Sequence, residues 1–317
     1  MESGVPHPPI GPIFVGGTGR SGTHAVAALA AQSGRYAQVP AELRLHVCES
    51  GLPPFASGDR GRRWLLRGLG THWWRHRPEW DATAVRGAHR IVPGRRYRAA
   101  LARLASARPG ADRHALSRRF VSSLLDPLAP SPGAWIEKSP ANCAHARFLS
   151  SLFPRMRLIH VVRDGRDVAC SLMRVPWAPD HFEAALAMWE WSLLAAHRGT
   201  QGVSAEQVHR VTLEDLVLRD RDRGYAELLA FLAIPDRPAL RSYFDRELTP
   251  ARARLGRWRS DLPRSEHAGA DALYGATLQR LGRAGVWPLP GAPSIAAPVP
   301  SRAHPPSPLD PWAATTA

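Results

Sequence analysis

Ile13-Phe14-Val15-Gly16-Gly17-Thr18-Gly19-Arg20-Ser21-Gly22-Thr23-His24 is the stretch that decides the fold. Its apolar start reads as a strand, its glycines as a turn, and the alanine-rich residues 25–31 as a helix. Glycine lets the backbone approach an anion closely, and a helix start offers unpaired N–H groups and the positive end of its dipole. Arg20, Ser21 and Thr23 add side-chain donors. A nucleotide-hydrolase loop would read Gly-x-x-x-x-Gly-Lys-Ser/Thr, with the lysine on the phosphates and the hydroxyl on magnesium. Gly17 and Gly22 have that spacing, but Thr23 follows Gly22 directly and no lysine intervenes. The loop is therefore expected to hold an anion without a metal.

The same strand-turn-helix pattern recurs along the chain. Residues 36–39 read as a short strand leading to Pro40-Ala41-Glu42-Leu43-Arg44, and residues 134–137 as a strand delivering Lys138-Ser139-Pro140 to its end, with a helix over 142–153. Residues 156–162 form an apolar run of the buried parallel kind, followed by Arg163-Asp164-Gly165-Arg166-Asp167 and a helix over 168–174. Residues 208–213 give another strand, with Glu214-Asp215-Leu216 and a helix over 225–232 after it. Polar residues gather each time where a strand ends, which is where open parallel sheets bind ligands. The fold class is α/β: a three-layer α/β/α sandwich with a central parallel sheet.

Elsewhere, residues 62–69, 95–107, 113–125, 183–197 and 271–283 have helical composition, and residues 252–259 read as an arginine-rich loop. Trp73, Trp74 and Trp80 are expected to pack rather than to line a pocket. Trp189 and Trp191 are two apart on one helix, so they face different ways.

With 317 residues the chain can bury a full core. We expect a disordered N-terminus at 1–11, one domain over 12–287 with a helical insertion at about 52–130, and a disordered Pro/Ala-rich tail at 288–317. No stretch approaches the roughly 18 consecutive apolar residues of a membrane span, and residues 1–12 lack the pattern of a signal peptide. A cytoplasmic location is expected. Cys48, Cys143 and Cys170 have no paired spacing and read as free thiols.

The formal charge of +15 raises the question of nucleic acid, but the arginines are dispersed as Arg62-Arg63, Arg95-Arg96 and Arg118-Arg119 without a repeat or motif, which argues against that partner. One residue departs from the arginine bias. Lys138 is the single lysine among 42 lysines and arginines, which points to a need for a compact ammonium there.

Taken together, Gly-Thr-Gly-Arg-Ser-Gly-Thr at 17–23 and the stretch from Phe153-Pro154 through Val161-Val162-Arg163-Asp164-Gly165-Arg166-Asp167-Val168 to Ser171 resemble the sulfotransferases that use 3′-phosphoadenosine 5′-phosphosulfate, PAPS, over residues 12 to about 262. The segments Pro40-Ala41-Glu42-Leu43-Arg44 and Glu137-Lys138-Ser139-Pro140 look most like the protein-tyrosine branch and its bacterial relatives. The resemblance implies a phosphate-loop nucleotide-hydrolase-like sulfotransferase fold. It also implies that Gly19, Arg20, Ser21, Gly22, Thr23 and His24 hold the 5′-phosphosulfate. Arg163 and Ser171 would hold the 3′-phosphate, with Arg257 beside Trp258 closing over it. Lys138 would stand near the transferred group together with Arg20, and Glu42 would be the general base, with His24, His46 and His72 as alternatives. His24 stands where the family usually has a second threonine, and Thr212-Leu213-Glu214-Asp215-Leu216 stands where it often has Tyr-Glu-Asp-Leu, so that pattern's tyrosine is missing.

The expected reaction is metal-free in-line transfer of a sulfuryl group to a hydroxyl on a small molecule or saccharide. Fixed cations and N–H groups would face the charge that grows on the leaving oxygen. The competing readings are a phosphate-loop kinase with Asp164 on magnesium, and a non-catalytic nucleotide- or nucleic-acid-binding protein.

Overall fold

The structure is a computed structural model describing residues 11–77 and 86–286. The expected tails at 1–11 and 288–317, apart from Gly11, lie outside the described residues, as does Trp80. Five strands, β1 (Ile13–Gly17), β2 (Ala37–Gln38), β3 (Trp135–Glu137), β4 (Arg157–Val162) and β5 (Val208–Thr212), form a sheet in the order β2-β3-β1-β4-β5. Every neighbouring pair is parallel, and Phe14 of β1 lies opposite Glu137 of β3 and Leu158 of β4. All five strands therefore deliver their carboxyl ends to one edge.

Helix α1 (Thr23–Ala31) follows β1, while α2 (Leu52–Ser57), α3 (Arg62–Gly70), α4 (Gly94–Ala105) and α5 (Arg113–Leu125) stand between β2 and β3. Helix α6 (Ala146–Leu152) joins β3 to β4, and α7 (Gly165–Leu172) and α8 (Phe182–Thr200) join β4 to β5. After β5 come α9 (Arg221–Leu232), α10 (Pro238–Glu247), α11 (Pro250–Ala253), α12 (Trp258–Asp261) and α13 (His267–Arg283).

Successive residues of a strand face opposite sides of its sheet. Ile13 and Val15 pack with Val26 and Leu29 of α1, Leu228 of α9 and Phe244 of α10. Phe14 faces the other layer, edge-on to Trp135 at 5.4 Å between ring centroids, in a core shared with α2 to α6. Burying side chains of this size contributes roughly 1.5–3 kcal/mol each. With helices on both faces, the fold is the three-layer α/β/α arrangement.

Several local boundaries differ from the sequence reading, α9 and α13 each beginning four residues before the helices expected over 225–232 and 271–283. The helix expected over 142–153 begins at Ala146, because residues 140–142 form a tight turn in which Asn142 Nδ2 donates to Val15 O at 3.0 Å and Glu137 Oε2 at 2.8 Å. The helix expected from 168 begins three residues earlier, at Gly165. Asp164 caps it, accepting from the Arg166 N–H at 2.9 Å. The arginine-rich loop expected at 252–259 is flanked and partly taken up by the short helices α11 and α12, the first capped by Thr249 accepting from Arg252 N at 3.3 Å.

Candidate functional site

The β1–α1 loop needs its glycines for close approach. A Cβ on Gly16 would lie 2.7 Å from Cys143 Sγ, and one on Gly17, at φ 151°, only 2.2 Å from Val161 O. Ser21 is fully buried and donates its hydroxyl to Thr18 O at 2.7 Å, so it closes the loop rather than lining the cleft. Gly22, at φ 96°, leads into α1, whose first turn carries no acidic residue. Gly19, Arg20, Gly22, Thr23 and His24 line a cleft of about 760 Å³ at the carboxyl edge of the sheet.

From β4, Arg163 and Ser171 enter the same cleft. Arg20 Nε donates to Ser171 Oγ at 3.0 Å, joining the glycine loop to α7. Arg163 donates to Asp167 Oδ2 at 3.0 Å, to Arg254 O at 2.8 Å and to Arg20 O at 3.4 Å. Arg20 and Arg254 are non-glycine residues in the left-handed region, with φ of 72° and 52°, and both turn a carbonyl toward this guanidinium. Asp167 also accepts from the N–H groups of Gly256 at 2.8 Å and Trp258 at 3.2 Å, which seats the 254–258 segment over the cleft. Arg257 lines the cleft and pairs with Asp261 at 2.7 Å.

Two nitrogens are left over. Arg163 Nε and Arg257 Nη2 are buried and have no hydrogen-bond partner among the described residues. A buried donor without a partner costs about 1–3 kcal/mol, more when charged. An anion in the cleft would satisfy them, so the residues fit a ligand carrying phosphate-like groups. Trp258 is placed elsewhere. Buried at 2% exposure, it packs with Cys170 and Leu262 between the guanidinium groups of Arg166 and Arg259, at 4.6 and 4.4 Å.

The exits of β2 and β3 bring Glu42 and Lys138 together. Glu42 is open to the space of the cleft, yet protein walls surround it. Desolvation raises its pKa, the nearby Arg44, Lys138 and Arg86 oppose the rise, and Glu137 adds to it. Lys138 is buried, and its ammonium donates to Val39 O at 3.0 Å instead of lining the cleft. Desolvation lowers its pKa, against the pull of Glu137 and Glu42. His24 is lowered by burial and by Lys138, so the ammonium acts on both Glu42 and His24.

Of the three candidate histidines, His24 alone lines the cleft. His46 is buried beside Glu137, its Nε2 3.2 Å from Oε2. His72 stacks on His76 at 4.2 Å, and burial lowers its pKa to about 4. Trp73 is buried and bonds through its indole to Ser50 O at 3.0 Å, while Trp74 packs on Tyr97, so both belong to packing. Trp189 is buried and donates to Arg163 O at 3.2 Å, whereas Trp191 lines the cleft with Met188 and Trp177. Asp164, the kinase reading's magnesium ligand, is held by Arg166 at 2.6 Å and caps α7.

Sequence reasoning missed Asp167 as the fastener of the 254–258 segment, Glu137 as a buried acceptor, and Trp177, Arg44 and Arg86 as cleft walls. The only signal for the first two was an acidic residue next to a basic one at a strand's end.

No curated protein matches the chain. Among solved structures, it is similar to the sulfotransferase domain of the Synechococcus PCC 7002 olefin synthase, at 22% identity over 85% of this chain and 96% of that one, with a TM-score of 0.49. It is also similar to the sulfotransferase domain of the curacin biosynthetic pathway (16%, 87% and 99%, TM-score 0.49). A third is sulfotransferase STF9 from Mycobacterium avium (15%, 86% and 77%, TM-score 0.43). A family model described as the sulfotransferase family matches residues 12–238, a span that holds the glycine loop, Glu42, Lys138, Arg163 and Ser171. The chain belongs to the sulfotransferase family.

Proposed function

We propose that the protein transfers a sulfuryl group from PAPS to a hydroxyl of a small-molecule or saccharide acceptor. The observation that carries this reading is the pair of unpartnered buried nitrogens, Arg163 Nε and Arg257 Nη2, beside the Arg20–Ser171 bond. It supports an anion at the β4 exit in addition to one on the glycine loop, as a nucleotide with 3′- and 5′-groups requires. When bound, the donor supplies the sulfuryl group and a phosphate leaving group.

In this reading the loop N–H groups with Arg20 and Thr23 bind the 5′-end, His24 borders it, and Ser21 holds the loop's shape. Arg163, Ser171 and Arg257 bind the 3′-phosphate, and Trp258 acts through its N–H on Asp167. Lys138 places a positive charge next to Glu42 and His24, where negative charge collects during transfer. Glu42 takes the acceptor's proton; its raised pKa brings it closer to working pH, which suits a general base. The cleft volume falls within the range of about 300–1,000 Å³ usual for small-ligand sites, and the apolar wall of Met188 and Trp191 suits an acceptor's body.

The test is release of 3′-phosphoadenosine 5′-phosphate from PAPS in the presence of phenolic, aliphatic and saccharide alcohols. Acceptor-dependent release supports the reading. Binding of the donor without release to any of the three classes would leave only nucleotide binding.

A further inference from the structure

We propose that Glu137 is a positioning residue that sets the placement of both Glu42 and Lys138, acting from outside the cleft. This inference rests on the catalytic roles given to those two residues above. Glu137 is fully buried and does not line the cleft. Its Oε1 accepts from the Leu43 N–H at 2.9 Å and the Ser139 hydroxyl at 2.7 Å, and its Oε2 from the Ser139 N–H at 2.9 Å and Asn142 Nδ2 at 2.8 Å, with His46 Nε2 at 3.2 Å.

One carboxylate thus fastens the residue after Glu42 to the residue after Lys138. The next residue completes the clamp: Lys138 itself donates to Val39 O. Two consecutive residues of the β3 exit therefore grip the β2 exit, one at Val39 and one at Leu43, with Glu42 between them. The Ser139 hydroxyl, in turn, accepts from Arg44 N at 3.3 Å. A fixed carboxylate with every strong acceptor direction filled cannot leave the interior without leaving several donors unpaired.

The single lysine makes the inference measurable without an acceptor. In protein labelled with carbon-13 lysine, Lys138 gives the one lysine side-chain resonance, and its titration can be followed directly. The charged groups that act on it are Glu137 and Glu42, and it in turn acts on His24 in the first turn of α1. Glu137→Gln keeps the side chain's shape but removes the charge that favours the ammonium. We expect the Lys138 midpoint to fall by roughly one pH unit or more, and exchange of the Leu43 amide hydrogen to speed up at least about tenfold through loss of its carboxylate acceptor.

An unchanged lysine titration and unchanged Leu43 exchange in a folded Glu137→Gln protein would overturn the proposal. If that variant does not fold, Glu137→Asp carries the test, since it keeps the charge and shortens the reach. The lysine titration should then stay near wild type while Leu43 exchange rises, and unchanged exchange would overturn the tether. Binding of 3′-phosphoadenosine 5′-phosphate to the wild type judges the donor reading separately, so the two can fail independently.

Discussion

Arg20 donates from Nε to Ser171 Oγ at 3.0 Å, across 151 residues of sequence. That bond joins the glycine loop after β1 to the helix after β4, so the two stretches proposed to bind anions, far apart in sequence, line one cleft. Arg163 adjoins this junction, fixed by Asp167 and by two carbonyls, with its Nε buried and without a hydrogen-bond partner among the described residues.

Arg163→Ala should weaken 3′-phosphoadenosine 5′-phosphate binding about 10- to 100-fold, the size of a lost charged hydrogen bond, while leaving AMP affinity nearly unchanged. Calorimetric titration with both ligands checks it. Equal losses for the two nucleotides would mean that Arg163 does not read a 3′-phosphate.

Glu42→Gln should lower turnover by about 10²- to 10⁴-fold and leave nucleotide affinity intact. The pH profile gives the sign. A raised carboxyl gives up its proton only above the ordinary carboxylate range, so the acid limb of wild-type turnover should lie above pH 4.5. A histidine base would instead leave Glu42→Gln active and make His24→Gln the inactive variant.

Glu137 makes a stability prediction of the opposite sense. Burial alone would raise its pKa, but the charge of His46 and hydrogen bonds from His46, Ser139 and Asn142 outweigh it and hold the carboxyl at about 2, against 4.5 for a free glutamate. The folded state releases this proton more readily than the unfolded one. Its contribution is therefore complete above pH 4.5 and is lost as the pH falls through about 2. The size is on the order of 3 kcal/mol. Urea unfolding between pH 5 and 2 should be steeper in pH for wild type than for Glu137→Gln.

Gly17→Ala should cost roughly 3 kcal/mol or more, because its Cβ would meet Val161 O at 2.2 Å at a φ of 151°. Gly70→Ala, at the end of α3 with open space around it, should be neutral or slightly stabilising. Thermal melts of the two variants check the contrast.

The parallel sheet was legible chiefly from β1 and β4, largely apolar runs followed by polar residues, a local pattern that the two-residue β2 and the mixed Val208–Thr212 strand carry more weakly. The start of α7 was not, since Asp164 reads equally as a turn residue or a cap until its partner Arg166 N is seen. Trp189 and Trp191 could be assigned to different faces but not to the core and the cleft respectively. Asp167 and Glu137 stayed hidden for a physical reason. Their partners Gly256 and Leu43 lie 89 and 94 residues away, and no spacing rule spans such a distance.

The measurement that tests the central claim most directly is calorimetric titration of the wild-type protein with 3′-phosphoadenosine 5′-phosphate, beside AMP and magnesium ATP. The account predicts that the 3′-phosphorylated ligand binds at least about tenfold more tightly than AMP, the worth of one charged contact. Equal affinity for AMP, or a preference for magnesium ATP, would contradict it.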